Sequence, residues 1–152
     1  MTTKIKKPAE IYIMGCKDDS FDFKDGIELL LKCSDPKFIF LSGKDWKQFD
    51  YNAGQKKLLS LNNSEYIYNA GVYWQKFEFQ SGEKVLFELG DPEFIYRAGR
   101  SWKKFNHDLA LDILVDMHEA KYIYYAGLEW KTFNYEKGFN SLMKSGNPEF
   151  IF

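Results

Sequence analysis

Few residues in this chain are equipped for chemistry. Two histidines (His107, His118), two cysteines (Cys16, Cys33) and the adjacent carboxylates Asp18 and Asp19 are what a reactive or metal-binding site would draw on. Each fails on its surroundings. The cysteines belong to no Cys/His array, so zinc geometry and a disulfide framework are not expected, and reduced thiols are. Asp18–Asp19 has no further carboxylates at the spacing a hard cation needs. No nucleophile–base arrangement and no phosphate-cradling loop is present. His107 replaces an aromatic seen as Phe23, Tyr51, Phe79 and Tyr135 in related segments, which marks it as a packing residue. His118 falls at a helix end, where a cation suits the dipole. No catalytic residue, metal ligand or cofactor is expected, and the chain is read as non-enzymatic.

The aromatic and basic residues point to binding instead. A ladder of tyrosines could stack nucleobases, with Arg97, Arg100, Lys103 and Lys104 reaching phosphate. The formal net charge of −1 counts against it, offering no general attraction to nucleic acid or anionic membrane. Lysine outnumbers arginine 19 to 2, and Phe, Tyr, Ile and Asn are plentiful, which indicates an AT-rich genome: a low-GC bacterium, a phage or another DNA virus. The basic N-terminus has no apolar run behind it, so no secretory signal is read there. No stretch approaches the roughly 18 apolar residues of a membrane span. The cytoplasm is the expected compartment.

What positions these residues is a repeat. Gly15, Gly43, Gly71, Gly99 and Gly127 stand 28 residues apart, as do Ile11, Ile39, Ile67, Ile95, Ile123 and Ile151. Phe21, Phe49, Phe77, Phe105 and Phe133 keep the same step, and so do Trp46, Trp74, Trp102 and Trp130, with Asp18 where the first tryptophan would stand. A fixed period of this size is the mark of a stacked repeat. After a tail at 1–7, the units fall at 8–35, 36–63, 64–91, 92–119 and 120–147, with a partial unit at 148–152.

Each unit reads as two short helices. Asp91-Pro92-Glu93 caps and starts the first, and Asp35-Pro36, Asn63-Ser64-Glu65 and Asn147-Pro148-Glu149 repeat the device. Ile95, Ala98, Gly99 and Trp102 then share one helical face over roughly Pro92 to Lys103. Asp22, Asp50, Asn106 and Asn134 cap the second helix, with Glu78 a weak substitute. Gly90 and Gly146 suit left-handed turns at its end. Phe-Ile-Phe and Tyr-Ile-Tyr also fit a strand-plus-helix horseshoe. The caps and the helical period favour an all-α solenoid of five helix-turn-helix units.

A helix-interior glycine costs about 1 kcal/mol relative to alanine. Its recurrence indicates that another backbone approaches closely, with the tryptophans closing the far end of the contact. Phe38, Tyr66, Phe94 and Tyr122 flank the isoleucine on one side, and Phe40, Tyr68, Tyr96 and Tyr124 on the other, so each set is expected to face one neighbouring unit. The positions left over vary from unit to unit and form an exposed ridge. From it Asn69, Tyr73, Lys76, Arg97, Arg100, Ser101, Lys104, Tyr125 and Glu129 are the expected partner-binding residues. The ridge holds both arginines, and arginine with tyrosine is an anchoring composition at protein interfaces.

The run Asp-Pro-Glu-Phe-Ile-Tyr-Arg-Ala-Gly-Arg-Ser-Trp resembles short α-solenoid repeats, broadly the tetratricopeptide and Sel1-like class. It is most similar to "Asp-Pro-Glu-Tyr" repeats. The resemblance spans about Pro8 to Phe152 and implies a scaffold that binds another protein or inhibits it. Single-stranded nucleic-acid binding is the second reading. The unit is shorter than a tetratricopeptide unit and lacks its signature, so the resemblance transfers no binding residue.

Overall fold

The computed structural model describes residues 6–150. Ile151 and the first five residues of the expected tail lie outside the described residues. The chain divides into two compact units, Met1–Glu78 and Phe79–Phe152. The first contains α1 (Pro8–Lys17), α2 (Phe23–Cys33), α3 (Pro36–Asp45), α4 (Tyr51–Ser60) and α5 (Ser64–Tyr73). The second contains α6 (Phe79–Leu89), α7 (Pro92–Ser101), α8 (His107–Asp116), α9 (Ala120–Glu129), α10 (Tyr135–Ser145) and a 3-10 turn at Pro148–Phe150. The described residues hold no strand, so the horseshoe alternative falls away.

The caps form as their residue types require. Asp35 accepts from the Lys37 N–H, Asp50 from Ala53, Asn63 from Tyr66, Asp91 from Glu93 and Asn106 from Leu109. Glu78 is served differently: the buried Gln55 amide donates to its carbonyl at 2.8 Å and accepts its N–H at 2.9 Å. At the other end of the second helices the chain turns through a left-handed residue in every repeat: Ser34, Asn62, Gly90, His118 and Gly146, with φ between 54° and 65°. Only two of these are glycine, the type that enters that region without steric cost.

Helices α1 and α2, α3 and α4, α7 and α8, and α9 and α10 pair as hairpins, and within each unit successive first helices lie together: α1 on α3, α3 on α5, α7 on α9. In each unit two sets of apolar residues fill the core. Ile11, Ile39, Ile67, Ile95 and Ile123 come from the first helices, and Leu30, Leu58, Leu86, Leu114 and Leu142 from the second, all at most 2% exposed. Burying one such side chain contributes about 1.5–3 kcal/mol. Helices of this length do not persist alone, so this packing sustains them.

The tryptophans depart from expectation. Each stands just past its helix as an extended C-cap, Trp102 with φ −73° and ψ 143°, so it does not continue the Ile–Ala–Gly face. From there the indoles of Trp46, Trp74 and Trp130 reach back to the preceding repeat. A Cβ added at Gly15 would lie 2.3 Å from Trp46, one at Gly43 2.5 Å from Trp74, and one at Gly99 2.4 Å from Trp130. The indole N–H donates to the carbonyl three residues before the glycine: Tyr12 at 3.1 Å, Phe40 at 2.9 Å and Tyr96 at 3.0 Å. At these three glycines an aromatic ring, not a second backbone, requires the missing side chain. A second glycine column lies on the second helices. Gly26, Gly54 and Gly138 receive the rings of Phe21, Phe49 and Phe133, each within 2.4 Å of an added Cβ.

Candidate interaction surface

The ridge positions project from the first-in-pair helices and the links after them. In the first unit Asn69 is half-buried on α5, while Tyr73 and Lys76 are exposed. In the second, Arg97 is half-buried on α7. Arg100, Ser101, Lys104, Tyr125 and Glu129 are exposed. The register that buries isoleucine and glycine turns these positions outward.

Several of them are nonetheless committed to contacts within the chain. Arg97 pairs with Glu93 one turn earlier on its own helix, at 2.6 Å, and its guanidinium lies over the Phe94 ring. Arg100 reaches Glu129 of the next repeat at 3.3 Å and lies over the Tyr96 ring. The Tyr96 hydroxyl donates to the same Glu129 carboxylate. Arg100 and Glu129 are thus brought together, while Arg97 is engaged separately. Both arginines therefore carry contacts within the chain from their ridge positions.

The Tyr96–Glu129 contact belongs to a series. Tyr12 donates to Asp45 at 2.6 Å across the equivalent junction. Between α3 and α5 the hydroxyl is missing at Phe40, and the acid is replaced by Tyr73, whose ring sits 6.1 Å from that of Phe40. A hydroxyl meets a carboxylate, and a bare ring meets a ring. The carboxylate acceptor at Asp45 raises the Tyr12 pKa, helped by burial. Burial and the bond to Glu129 raise that of Tyr96. Glu129 is shifted down, chiefly by the Tyr96 bond and then by Arg100. The aromatics behind this edge divide as expected. Tyr12 meets Phe38, Phe40 meets Tyr66, and Tyr96 meets Tyr122, each pair 5.9 Å apart.

Apolar surface remains exposed on the same face. In the first unit Tyr73 is 56% exposed beside Val72, and in the second Leu128 is 58% exposed on α9, one turn from Tyr125. Val72 and Leu128 lie outside the expected partner-binding set, which rested on arginine and tyrosine as anchoring types. Sequence reasoning also missed the roles of Asp45 and Glu93 as acceptors.

The histidines have structural places. His107 packs edge-on against Phe105 and Trp130, and its Nε2 lies 2.8 Å from the Gly99 carbonyl. Tyr51 and Tyr135 make the same bond to Gly43 and Gly127 through their hydroxyls. Since a carbonyl only accepts, Nε2 carries the proton. Among the described residues no three His, Cys, Asp or Glu side chains gather as a metal site, and no helix is long and apolar enough to cross a membrane. Comparison with family models, curated proteins and solved structures gave no match.

Proposed function

We propose that this chain is a non-enzymatic scaffold or inhibitor that binds another protein through the outer faces of its first-in-pair helices. The reading is carried by one contrast. The isoleucines, glycines and tryptophans that recur at the repeat period are buried, whereas Tyr73 and Leu128, which do not recur, are more than half exposed on that face. Exposed aromatic and aliphatic side chains rimmed by charge make an interface composition. The contacts in the first unit are Asn69, Val72, Tyr73 and Lys76. Those in the second are Arg97, Ser101, Lys104, Tyr125, Leu128 and Glu129. The resemblance to tetratricopeptide and Sel1-like repeats adds support by analogy only.

Nucleic-acid binding is the weaker reading, because Arg97 and Arg100 already face Glu93 and Glu129. Phosphate contacts dominate such affinity and make it steeply salt-dependent. The test is quantitative capture from a lysate of the source cell, comparing the wild type with Tyr73→Ser plus Leu128→Ser. Loss of the same captured proteins with these substitutions supports the proposal. Loss with Lys56→Ala and Lys57→Ala on α4 instead, the ridge variants retaining capture, places binding on the wrong helices. Retention on an oligonucleotide column that salt abolishes favours the second reading.

A further inference from the structure

The near-neutral chain conceals a division of charge within its second unit. Over 92–105 and 120–133, the first helices with their links, six cations stand against two acids. Over 79–91, 106–119 and 134–147, the second helices with the turns after them, eight acids stand against three cations. Both acids of the first group are already engaged, Glu93 by Arg97, and Glu129 by Arg100 and the Tyr96 hydroxyl. The links are the sharpest part of the pattern. In the first unit Lys47 reaches back one repeat to Asp19, at 3.2 Å. The same step in the second unit runs from Lys131 to Lys103, so a register that pairs opposite charges there sets like charges opposite each other here. Lys104 adds a third cation beside them. The caps that close these links are the neutral Asn106 and Asn134, where Asp22 and Asp50 close the equivalent links of the first unit. Lys103, Lys104 and Lys131 are exposed, and among the described residues none of them enters an ion pair. Leu128, more than half exposed, precedes Lys131 by three residues on the same ridge.

Like charges gathered in one place raise the energy of the free chain, and an anion shared between them lowers it. We infer that this edge receives a carboxylate-rich segment of the partner protein, with an aliphatic or aromatic side chain seated on Leu128 and acids reaching Lys103, Lys104 and Lys131. The inference rests on the ridge being the binding face and adds the chemistry of what it binds. Charge complementarity of this kind steers encounter and selects partners more than it sets affinity. A nucleic-acid strand matches the edge less well. Three free cations are few where affinity grows with each phosphate neutralised. Leu128 has no counterpart on a phosphate backbone, and the acidic second helices of the same unit repel a long polyanion.

The test is unbiased selection followed by titration. A displayed library of random peptides of about 16 residues is panned on the full chain at about 0.15 M salt. Enriched peptides should carry a net negative charge together with aliphatic or aromatic residues. One of them, labelled and followed by fluorescence anisotropy, should bind the combined Lys103→Glu, Lys104→Glu, Lys131→Glu variant roughly tenfold or more weakly than wild type. Glutamine at the same three positions should weaken it less, in the same direction, and serves as the test should the reversal disturb the fold. Lys56→Glu with Lys57→Glu on α4 should leave the affinity nearly unchanged. No enrichment, enrichment of neutral or basic peptides, an affinity indifferent to both link variants, or equal weakening by the α4 pair overturns the inference. Where peptides are enriched but the inference fails, loss of their binding with Leu128→Ser leaves the ridge as the binding face, whereas indifference to Leu128→Ser removes both. Tighter binding of an oligothymidine of about 16 nucleotides, weakened by the same link variants, assigns the lysines to nucleic acid and overturns the inference as well.

Discussion

At the scale of single residues, two positions carry a cost that some of the other repeats avoid. Ser42 is fully buried and its hydroxyl has no hydrogen-bond partner, where Ala70, Ala98 and Ala126 stand in equivalent positions. An unpaired buried hydroxyl costs about 1–3 kcal/mol, and alanine is the better helix former. Ser42→Ala should therefore stabilise the chain by about 1 kcal/mol or more in urea denaturation. A loss of stability would show that the hydroxyl is paired in solution. His118 sits at φ 59° beyond α8, where Gly90 and Gly146 serve in other repeats. His118→Gly should raise stability by about 1 kcal/mol by relieving left-handed strain. Were the helix dipole the dominant reason for histidine, the same change would lower it. Gly90 and Gly146 were legible as left-handed turns, but the column they belong to was not, because serine, asparagine and histidine fill its other three places.

At the scale of helices, α1 and α3, and α7 and α9, are joined by an indole seated on a glycine and by a tyrosine bonded to an acid, while α3 and α5 keep the indole and set ring against ring. The period, caps and buried isoleucines were legible because each recurs at an identical offset. The partner of the glycine was not, since periodicity shows that a notch exists without saying whether a backbone or a ring enters it. The tyrosine–acid pairs were hidden because their members lie 33 residues apart and change type from repeat to repeat. Glu129 has a lowered folded pKa, so its contribution is present above the unfolded carboxylate value and disappears as pH falls through the folded one. Wild type should exceed Glu129→Gln in melting temperature at pH 7, and the two should converge once the pH falls below the lowered Glu129 pKa. The pair is exposed, so the gap should correspond to about 1 kcal/mol or less. A gap that persists undiminished in acid would assign the effect to packing. Arg100→Glu sets a like charge against Glu129, so a neutral Arg100→Gln is the better probe of that pair.

At the scale of the molecule, the repeat register makes whole units removable. Excising Pro36–Asn63 joins Asp35 to Ser64, recreates a capped first helix, and offers Trp74 to Gly15 in place of Trp46. That variant should remain helical by circular dichroism and melt cooperatively. Excising only Pro36–Phe49 joins α2 to α4 out of phase and should abolish the cooperative transition. Equal tolerance of both deletions would contradict a repeat-by-repeat architecture. The outer faces proposed to bind a partner take little part in this scheme, which leaves them free to vary while the packing columns are held constant.

The central claim is that Gly15, Gly43 and Gly99 stand in the first helices to admit the next repeat's indole. A double-mutant cycle between Gly99 and Trp130 tests it most directly. Gly99→Ala in the wild-type background should cost about 1–3 kcal/mol, because the added Cβ meets the indole. With Trp130→Ala already in place, the same change should become neutral or stabilising by up to about 1 kcal/mol, as helix propensity alone dictates. An equal cost in both backgrounds, or a stabilisation in the presence of Trp130, would contradict the account.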